Sequence, residues 1–599
     1  MRVTDYVAEA IYQAGVSKVF LVTGGGMMFL SDGIAMHPQL NAVCTHHEQA
    51  SAMAAVTYSK MTDNLGVAYL TTGCGVSNAT TGLLNAWQDS IPVLFVSGQC
   101  KRKETIANSA LPLRQLGVQE ADIIPMVTAY SKYAVMVNEP QDIAYHVEKA
   151  LYLAQNGRPG PTWLDIPLDV QGATIDEASL KHFDPAELDE PIHLAPSLAD
   201  LEVIKNKLAT AERPLIISGQ GIRLARAIPE FQAFVKTHQI PVVTSFLGID
   251  LLPSDEPLHI GRMGNKGNRA GNFAIQNADY ILVLGNRLSV SATGHEYHLF
   301  GRDAEIHVVD IDPVEHQKNT VHIDHFIHAD LKEFFAAFGA YPEQSTPQYW
   351  IDKCAHWKNI FALKIPAIDE QPDGIDLYYF MRRLSALMKD DAVVISDAGS
   401  ALYACAQEIQ IKGTQRFITS GAQAEMGYTL PATVGASTAL NNGDVIGITG
   451  DGSFQMNIQE LQTIVHNKLP IKLFIWNNNG YLSIRTTQQK FFEGRELGTD
   501  PSSGVSFPDL KKIADAYGIF FVKVETAEQL DAKIAESLNH DGPVLCEVMC
   551  NPGQVIIPSV ASFKRPDGQM QSKPIEDMFP FLDRDLFLKE MINKPVDEA

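Results

Sequence analysis

The sequence predicts an α/β protein built from three doubly wound parallel-sheet domains, and three observations predict it. Short apolar runs recur along the chain, separated by stretches of helical periodicity. Many of these runs stop at a glycine-rich turn, where a strand hands over to a helix. The spacing of such turns in the first third of the chain is echoed in the last third.

The bulk properties bound the class. With 599 residues the chain is long enough for about three or four domains. A hydrophobic content of 45% and a charged content of 20% describe an ordinary soluble protein. No apolar run approaches the roughly 18 residues that a membrane span needs, and the first residues read as an amphipathic helix rather than a signal peptide. Seven scattered cysteines without a C-x-x-C pair point to reduced thiols and a cytoplasmic setting. The net charge of −23, spread along the chain, disfavours nucleic acid as a partner.

The first domain is expected over residues 1–185. Its strands are residues 16–22, ending at Gly24, Gly25 and Gly26, a short strand before the helix that begins near Glu48, residues 66–72, ending at Gly73, and residues 92–98. A linker rich in Asp, Glu and Pro covers residues 182–197. The central domain, 186–365, reads as six short α/β units, and residues 342–376 read as a polar stretch of low periodicity. The last domain, 366–599, opens on a strand that ends at Gly399 and Ser400. From Gly24 to Gly73 and from Gly399 to Gly450 the intervals are nearly equal, which suggests two similar domains flanking a third.

The richest stretch is residues 445–481. A strand ends at Gly450-Asp451-Gly452-Ser453, a helical run follows, and a second buried strand reaches Asn477-Asn478-Asn479-Gly480. Strand, helix, strand implies two parallel strands with adjacent carboxyl ends, so Asp451 and Asn478 are expected to approach each other. A carboxylate, an amide oxygen and nearby carbonyls are hard ligands too few to cage a cation alone. That suits Mg²⁺, which keeps water and takes further ligands from phosphates. The glycines let backbone approach a diphosphate, which a helix N-terminus favours.

GDG followed at this spacing by NN and a glycine resembles the metal-diphosphate motif of thiamine-diphosphate enzymes, and the three-part order resembles their acetolactate synthase and pyruvate oxidase branch. The resemblance covers nearly the whole chain. It implies a pyrimidine-binding first domain, a central domain and a diphosphate-binding last domain, with thiamine diphosphate and Mg²⁺ as cofactors. It also implies a homodimer or homotetramer, the cofactor lying between the first domain of one chain and the last of its partner.

The resemblance also implies roles for single residues. The stretch THHEQASAMAAVTYS resembles the one around the glutamate that hydrogen-bonds N1′ of the cofactor's pyrimidine, which makes Glu48 the activating carboxylate; His46 and His47 are expected to be structural. Asp451, Asn478 and Gly480 are the expected metal ligands. Asn78, Gly399, Ser400, Gly452, Ser453 and Tyr481 are expected against the cofactor. Residues 420–436 resemble the segment beneath it, with Met426 as the wedge that bends it and the carbonyl of Ala424 holding its amino group. Gly25, Gly26 and Gln119 match positions lining the reacting end, although Val22-Thr23 stand where relatives carry Tyr-Pro. In the central domain, residues 219–222, 285–294 and 309–313 resemble adenine-dinucleotide contacts of flavin-containing members; there Arg287 would meet the diphosphate of FAD and Asp310 or Asp312 its adenosine end.

The expected activity is that of a carboligase. Pyruvate or a similar 2-ketoacid is decarboxylated, and the acyl-anion unit passes to a second carbonyl compound. The rivals are acetolactate synthase itself, a pyruvate decarboxylase or oxidase, and a non-catalytic scaffold or regulatory homologue. Residues 89–104 lack the paired histidines of simple decarboxylases, and residues 482–496 lack the Trp by which acetolactate synthases select the second ketoacid. Arg485 is a candidate anion contact there. The tail after residue 560 resembles enzymes of surface-polysaccharide and branched-sugar biosynthesis, which points to a keto-sugar nucleotide as acceptor.

Overall fold

The computed structural model describes residues 1–188, 194–339, 346–371, 373–565 and 567–596. Parts of the expected linker (189–193) and of the expected polar stretch (340–345 and 372) lie outside the described residues. The chain divides into two compact units. One comprises 1–190, 392–402 and 418–552, the other 191–391, 403–417 and 553–599.

There are three domains, each a parallel six-stranded sheet with helices. In the first, β1 (Lys18–Leu21), β2 (Asn41–Cys44), β3 (Gly66–Leu70), β4 (Val93–Gln99), β5 (Tyr133–Met136) and β6 (Thr162–Pro167) lie in the order β2-β1-β3-β4-β6-β5. The middle sheet contains β7 (Pro214–Ser218), β8 (Val242–Thr244), β9 (His259–Arg262), β10 (Tyr280–Leu284), β11 (Glu305–Asp310) and β12 (His325–His328), ordered β12-β11-β10-β7-β8-β9. The last contains β13 (Val393–Ser396), β14 (Arg416–Ile418), β15 (Val445–Gly450), β16 (Ile471–Asn477), β17 (Phe520–Val524) and β18 (Val544–Met549), ordered β14-β13-β15-β16-β18-β17. The first and last orders are the same, strand for strand. The echo in the sequence is a repeated topology.

The inner strands are apolar on both faces because helices cover both, as parallel sheets require. Within the first unit the helix Glu48–Thr62 packs on the helix Thr429–Ala439. Both are buried almost all round and rich in small residues, so they can meet backbone to backbone. A Cβ on Gly435 would lie 2.2 Å from the carbonyl oxygen of Ala54, so only glycine permits this approach. The hydroxyls of Thr57 and Tyr428 close the contact at 2.7 Å.

Two expectations need correction. The helical run after Gly452 is broken into a turn of α-helix, Asp451–Phe454, a 3-10 turn, Gln455–Asn457, and the helix Glu460–His466. Asn457 sits at the break because its amide donates to the Gly427 carbonyl (2.8 Å) and to Gln49 Oε1 (3.1 Å). The polar stretch contains a helix, Gln348–Ile360, whose buried residues are only Trp350, Cys354 and Trp357. That stripe is too narrow to give a strong period, yet it carries two indoles into the core beside the middle sheet. The tail, residues 553–599, belongs to the second unit: Asn272 and Arg269 bond the carbonyls of Ile575 and Met578, and Glu576 pairs with Arg302 at 2.9 Å. No helix among the described residues is long and apolar enough to cross a membrane.

Candidate active site

The ends of β15 and β16 build the centre of the site. The strands pair in parallel from Val445↔Ile471 to Gly450↔Trp476, so the chain leaves both at the same edge. Asp451, 3% exposed, begins the helical turn after β15. Its Oδ2 accepts the Gly480 N–H at 3.0 Å and its Oδ1 that of Gly452 at 2.7 Å. Burial pushes the carboxyl up to about 6, and these backbone donors limit the rise. Asn478 is 4% exposed, and its Oδ1 has no hydrogen-bond partner among the described residues. An unpartnered buried amide oxygen is costly. With the neighbouring Asp451 carboxylate it offers the oxygen ligands a hard cation takes, so the residues present fit Mg²⁺. Gly480 sits at φ +153°, and a Cβ there would strike the Thr499 carbonyl oxygen at 2.2 Å.

The neighbouring residues are held by each other. Ser453 Oγ donates to Asp397 at 2.5 Å and accepts the Gly427 N–H at 2.7 Å. Asp397, buried and raised by burial, also accepts from Thr449. Sequence reasoning passed over Asp397, although it stands at the end of β13 just before Gly399 and Ser400. Gly399 has φ +57° and faces Ser483, and Ser400 is buried. Ala424 adopts φ +50°, a left-handed conformation that favours glycine, while Met426 is 37% exposed. Arg485 is turned inward: it donates to the Asn478 carbonyl (3.2 Å) and faces Asp500 at 3.5 Å. It braces the Asn478 loop.

A deeper network supports residues 419–425. Lys60 Nζ is buried against Asp89 at 2.8 Å and donates to the Thr419 carbonyl. Asp89 also accepts the N–H groups of Gly421 and Ala422, each at 3.0 Å. Asn85 and Ser420 both donate to Glu425, whose burial raises its pKa. No motif marks Lys60 or Asp89 in the sequence; only the fold brings them to this segment.

Glu48 opens its helix and is 8% exposed. The Asn78 amide, expected against a cofactor, donates to Glu48 Oε2 at 3.0 Å, and a Cβ on Gly75 would lie 3.2 Å from Oε1. His47 caps the helix by accepting the Gln49 N–H, and the backbone N–H of His46 donates to Glu460. Gly26 packs on Thr72, with 2.7 Å left for a Cβ, whereas a Cβ on Gly25 would meet open space. Gln119 is exposed at φ +59°, and its carbonyl lies against Gly73. This brings the Gln119 loop to the turn beside Glu48.

In the second unit Arg287 follows β10 and Asp310 ends β11. A Cβ on Gly219 would lie 2.2 Å from the Gly285 carbonyl oxygen, so these glycines are required by loop-on-loop packing whether or not a nucleotide binds. The order of the middle sheet reverses between β7 and β10, where those two loops emerge, and such a switch point is where dinucleotides fit. Asp310 accepts the Asp312 N–H and faces His316 at 3.4 Å. Asp312 accepts the N–H groups of Val314 and Glu315, which ties it into its own turn.

Comparison with known proteins agrees with this architecture. Residues 1–126 match the thiamine pyrophosphate enzyme N-terminal TPP binding domain, residues 201–338 the central domain and residues 397–548 the C-terminal TPP binding domain. The acetolactate synthase isozyme 2 large subunit of Escherichia coli (strain K12) is 31% identical over 96% of this chain and all of its own length. The acetolactate synthase large subunit of Lactococcus lactis is 31% identical, covering 93% of this chain and 94% of the relative. Acetolactate synthase 1, chloroplastic, of Zea mays is 30% identical over 93% and 87%.

Proposed function

The chain belongs to the thiamine pyrophosphate enzymes, in the branch of the acetolactate synthases, and we propose that it is a carboligase that decarboxylates pyruvate or a similar 2-ketoacid and passes the acyl-anion unit to a second carbonyl compound. The observation that carries this reading is the unpartnered Asn478 Oδ1 beside Asp451, in a chain that also keeps a buried Glu48. A non-catalytic homologue has no physical need for that combination.

In this reading Asp451, Asn478 and the Gly480 loop would hold Mg²⁺, and Gly452, Ser453, Gly399, Ser400 and Tyr481 would surround the diphosphate. Glu48 hydrogen-bonds N1′ of the pyrimidine and holds or releases the proton there. The Ala424 carbonyl would receive the pyrimidine amino group, and Met426 would be the side chain packed against the cofactor. When bound, thiamine diphosphate supplies a carbon nucleophile and an electron sink. Gly25 leaves room at the reacting end, Gly26 lines it against Thr72, and Gln119 orients a carboxylate or the acceptor carbonyl. Assembly is as a homodimer or homotetramer, and the setting is cytoplasmic. FAD is assigned to the switch point of the middle sheet, with Arg287 on its diphosphate and Asp310 on its adenosine end, as a structural rather than a redox group; purified protein should then be yellow or take up FAD on reconstitution.

The acceptor is proposed to be a keto-sugar nucleotide. The support is the missing Trp in residues 482–496 and the character of the tail. The names of the relatives favour acetolactate synthesis as the second reading. Pyruvate, thiamine diphosphate and Mg²⁺ alone, followed by keto-sugar nucleotides, aldehydes and 2-ketoacids in turn, separate the two by mass spectrometry of the products. Rapid acetolactate formation from pyruvate alone selects the second reading. Pyruvate consumption that waits for a keto-sugar nucleotide selects the first.

A further inference from the structure

A cavity of about 500 Å³ lies in the second unit beside β9, an edge strand of the middle sheet. The helices Gln348–Ile360 and Leu377–Leu387 and residues 407–412 complete its wall. Four cationic side chains line it, Arg262, Lys358, Arg382 and Lys412, against one carboxylate, Glu408. Glu408 is already engaged with Arg382, Nη2 to Oε1, at 2.6 Å. Among the described residues no carboxylate lies within ion-pair distance of Arg262, Lys358 or Lys412.

Arg262 is the unusual member. It is 6% exposed, one Nη donates to the Ile409 carbonyl at 2.7 Å, and its Nε–H has no hydrogen-bond partner among the described residues. A buried guanidinium with a spare donor, on which Glu408 acts only from beyond ion-pair distance, is costly. Among the described residues Lys358 Nζ donates only to the carbonyls of Ser254 and Glu256, at 3.0 and 3.1 Å, with Asp255 and Glu256 acting on it at longer range. His259 adds no charge, because burial and the nearby Arg262 hold it down to about 3. The wall is thus a preformed cationic bowl within the usual size range of small-molecule sites.

We propose that this cavity binds a small organic anion carrying at least two negative charges, a phosphate ester or a polycarboxylate, with Arg262 as the buried anchor and Lys358 and Lys412 as flanking cations. Such a ligand would bridge β9 to the segments around 358, 382 and 410 and add counter-charge to a wall where one carboxylate, Glu408, faces four cations. The planar fork of Arg262 suits two oxygens of one phosphate or carboxylate.

The test is isothermal titration of the full-length protein, saturated with thiamine diphosphate and Mg²⁺, with ribose 5-phosphate in one arm and tricarballylate in the other. One site per chain in either arm is expected, and the arm that responds identifies the source of the charge. Lys358→Gln/Lys412→Gln, which leaves the core intact, should weaken binding by about tenfold or more, with an unchanged circular dichroism spectrum and ligand-free melting temperature. Arg262→Lys should weaken it without abolishing the fold. No heat from either probe at millimolar concentration, or equal affinity in parent and double variant, overturns the assignment. Because the readout is binding, the result stands apart from the carboligase reaction.

Discussion

Gly452 and Tyr481, on loops that leave adjacent strands, touch so closely that a Cβ on Gly452 would lie 2.1 Å from the Tyr481 ring. The glycine of the GDG motif is therefore required by a neighbouring side chain as well as by any diphosphate. Gly452→Ala should push the ring aside, cost about 1–3 kcal/mol and weaken thiamine-diphosphate binding. Adding Tyr481→Ala should recover the stability but not the binding. Calorimetry and urea unfolding of both variants check this, and a stable Gly452→Ala protein with parental affinity would contradict it.

Asp451 makes the apo protein pH-sensitive. Its folded pKa, about 6, lies above the unfolded value. Its contribution is therefore fully favourable below about pH 4 and is lost as pH rises through 6, amounting to about 3 kcal/mol by pH 8. Asp451→Asn should raise the apo melting temperature at pH 8, by an increment that shrinks toward pH 4.5. Mg²⁺ with thiamine diphosphate should stabilise the parent and leave the variant unchanged. An increment that is flat across that range would assign the titration to another group.

Glu48→Gln keeps the size of the side chain and its contact with Asn78. Exchange of the C2 hydrogen of bound thiamine diphosphate for deuterium should slow by about 10²–10⁴-fold, while affinity for the cofactor persists. Acid quench followed by NMR reads the rate. Parental exchange would move the activating role to a different residue.

The Lys60–Asp89 pair holds the segment that presents Ala424 and Met426. Asp89→Ala leaves a buried ammonium beside two unpaired backbone N–H groups, and should destabilise the chain by about 3–5 kcal/mol. The same variant should raise the concentration of thiamine diphosphate needed for half-saturation. Equilibrium unfolding in urea gives the first quantity and titration the second. A loss of stability with unchanged affinity would confine the pair to a structural role.

Glu48 and Asp451 are expected to meet across a two-fold axis, in sites shared between chains. Glu48→Gln and Asp451→Ala proteins, each inactive, should then regain about a quarter of parental activity when unfolded and refolded together, since half the dimers are mixed and each contains one intact site. Absence of recovery, with mixed dimers demonstrated by mass spectrometry, would place each site within a single chain.

The sequence by itself determined what is local. Apolar runs ending in glycine turns predicted three parallel sheets, and equal turn spacing foreshadowed that the first and last share one strand order. The GDG and NN ends of one strand-helix-strand unit located Asp451 and Asn478, because parallel pairing obliges their strands to finish side by side. Tertiary structure alone decided what depends on contacts distant in sequence. It brought Asp89 to the N–H groups of Gly421 and Ala422, more than 300 positions away, and Asn78 to Glu48. It turned Arg485 onto the Asn478 carbonyl, found a helix where only Trp350, Cys354 and Trp357 mark the buried stripe, and packed the tail on the middle sheet. The physical reason is the same in each case. Hydrogen bonding along the backbone and the period of apolar residues are written in neighbouring positions, whereas a buried polar group is satisfied by whichever partner the packing of the whole chain delivers.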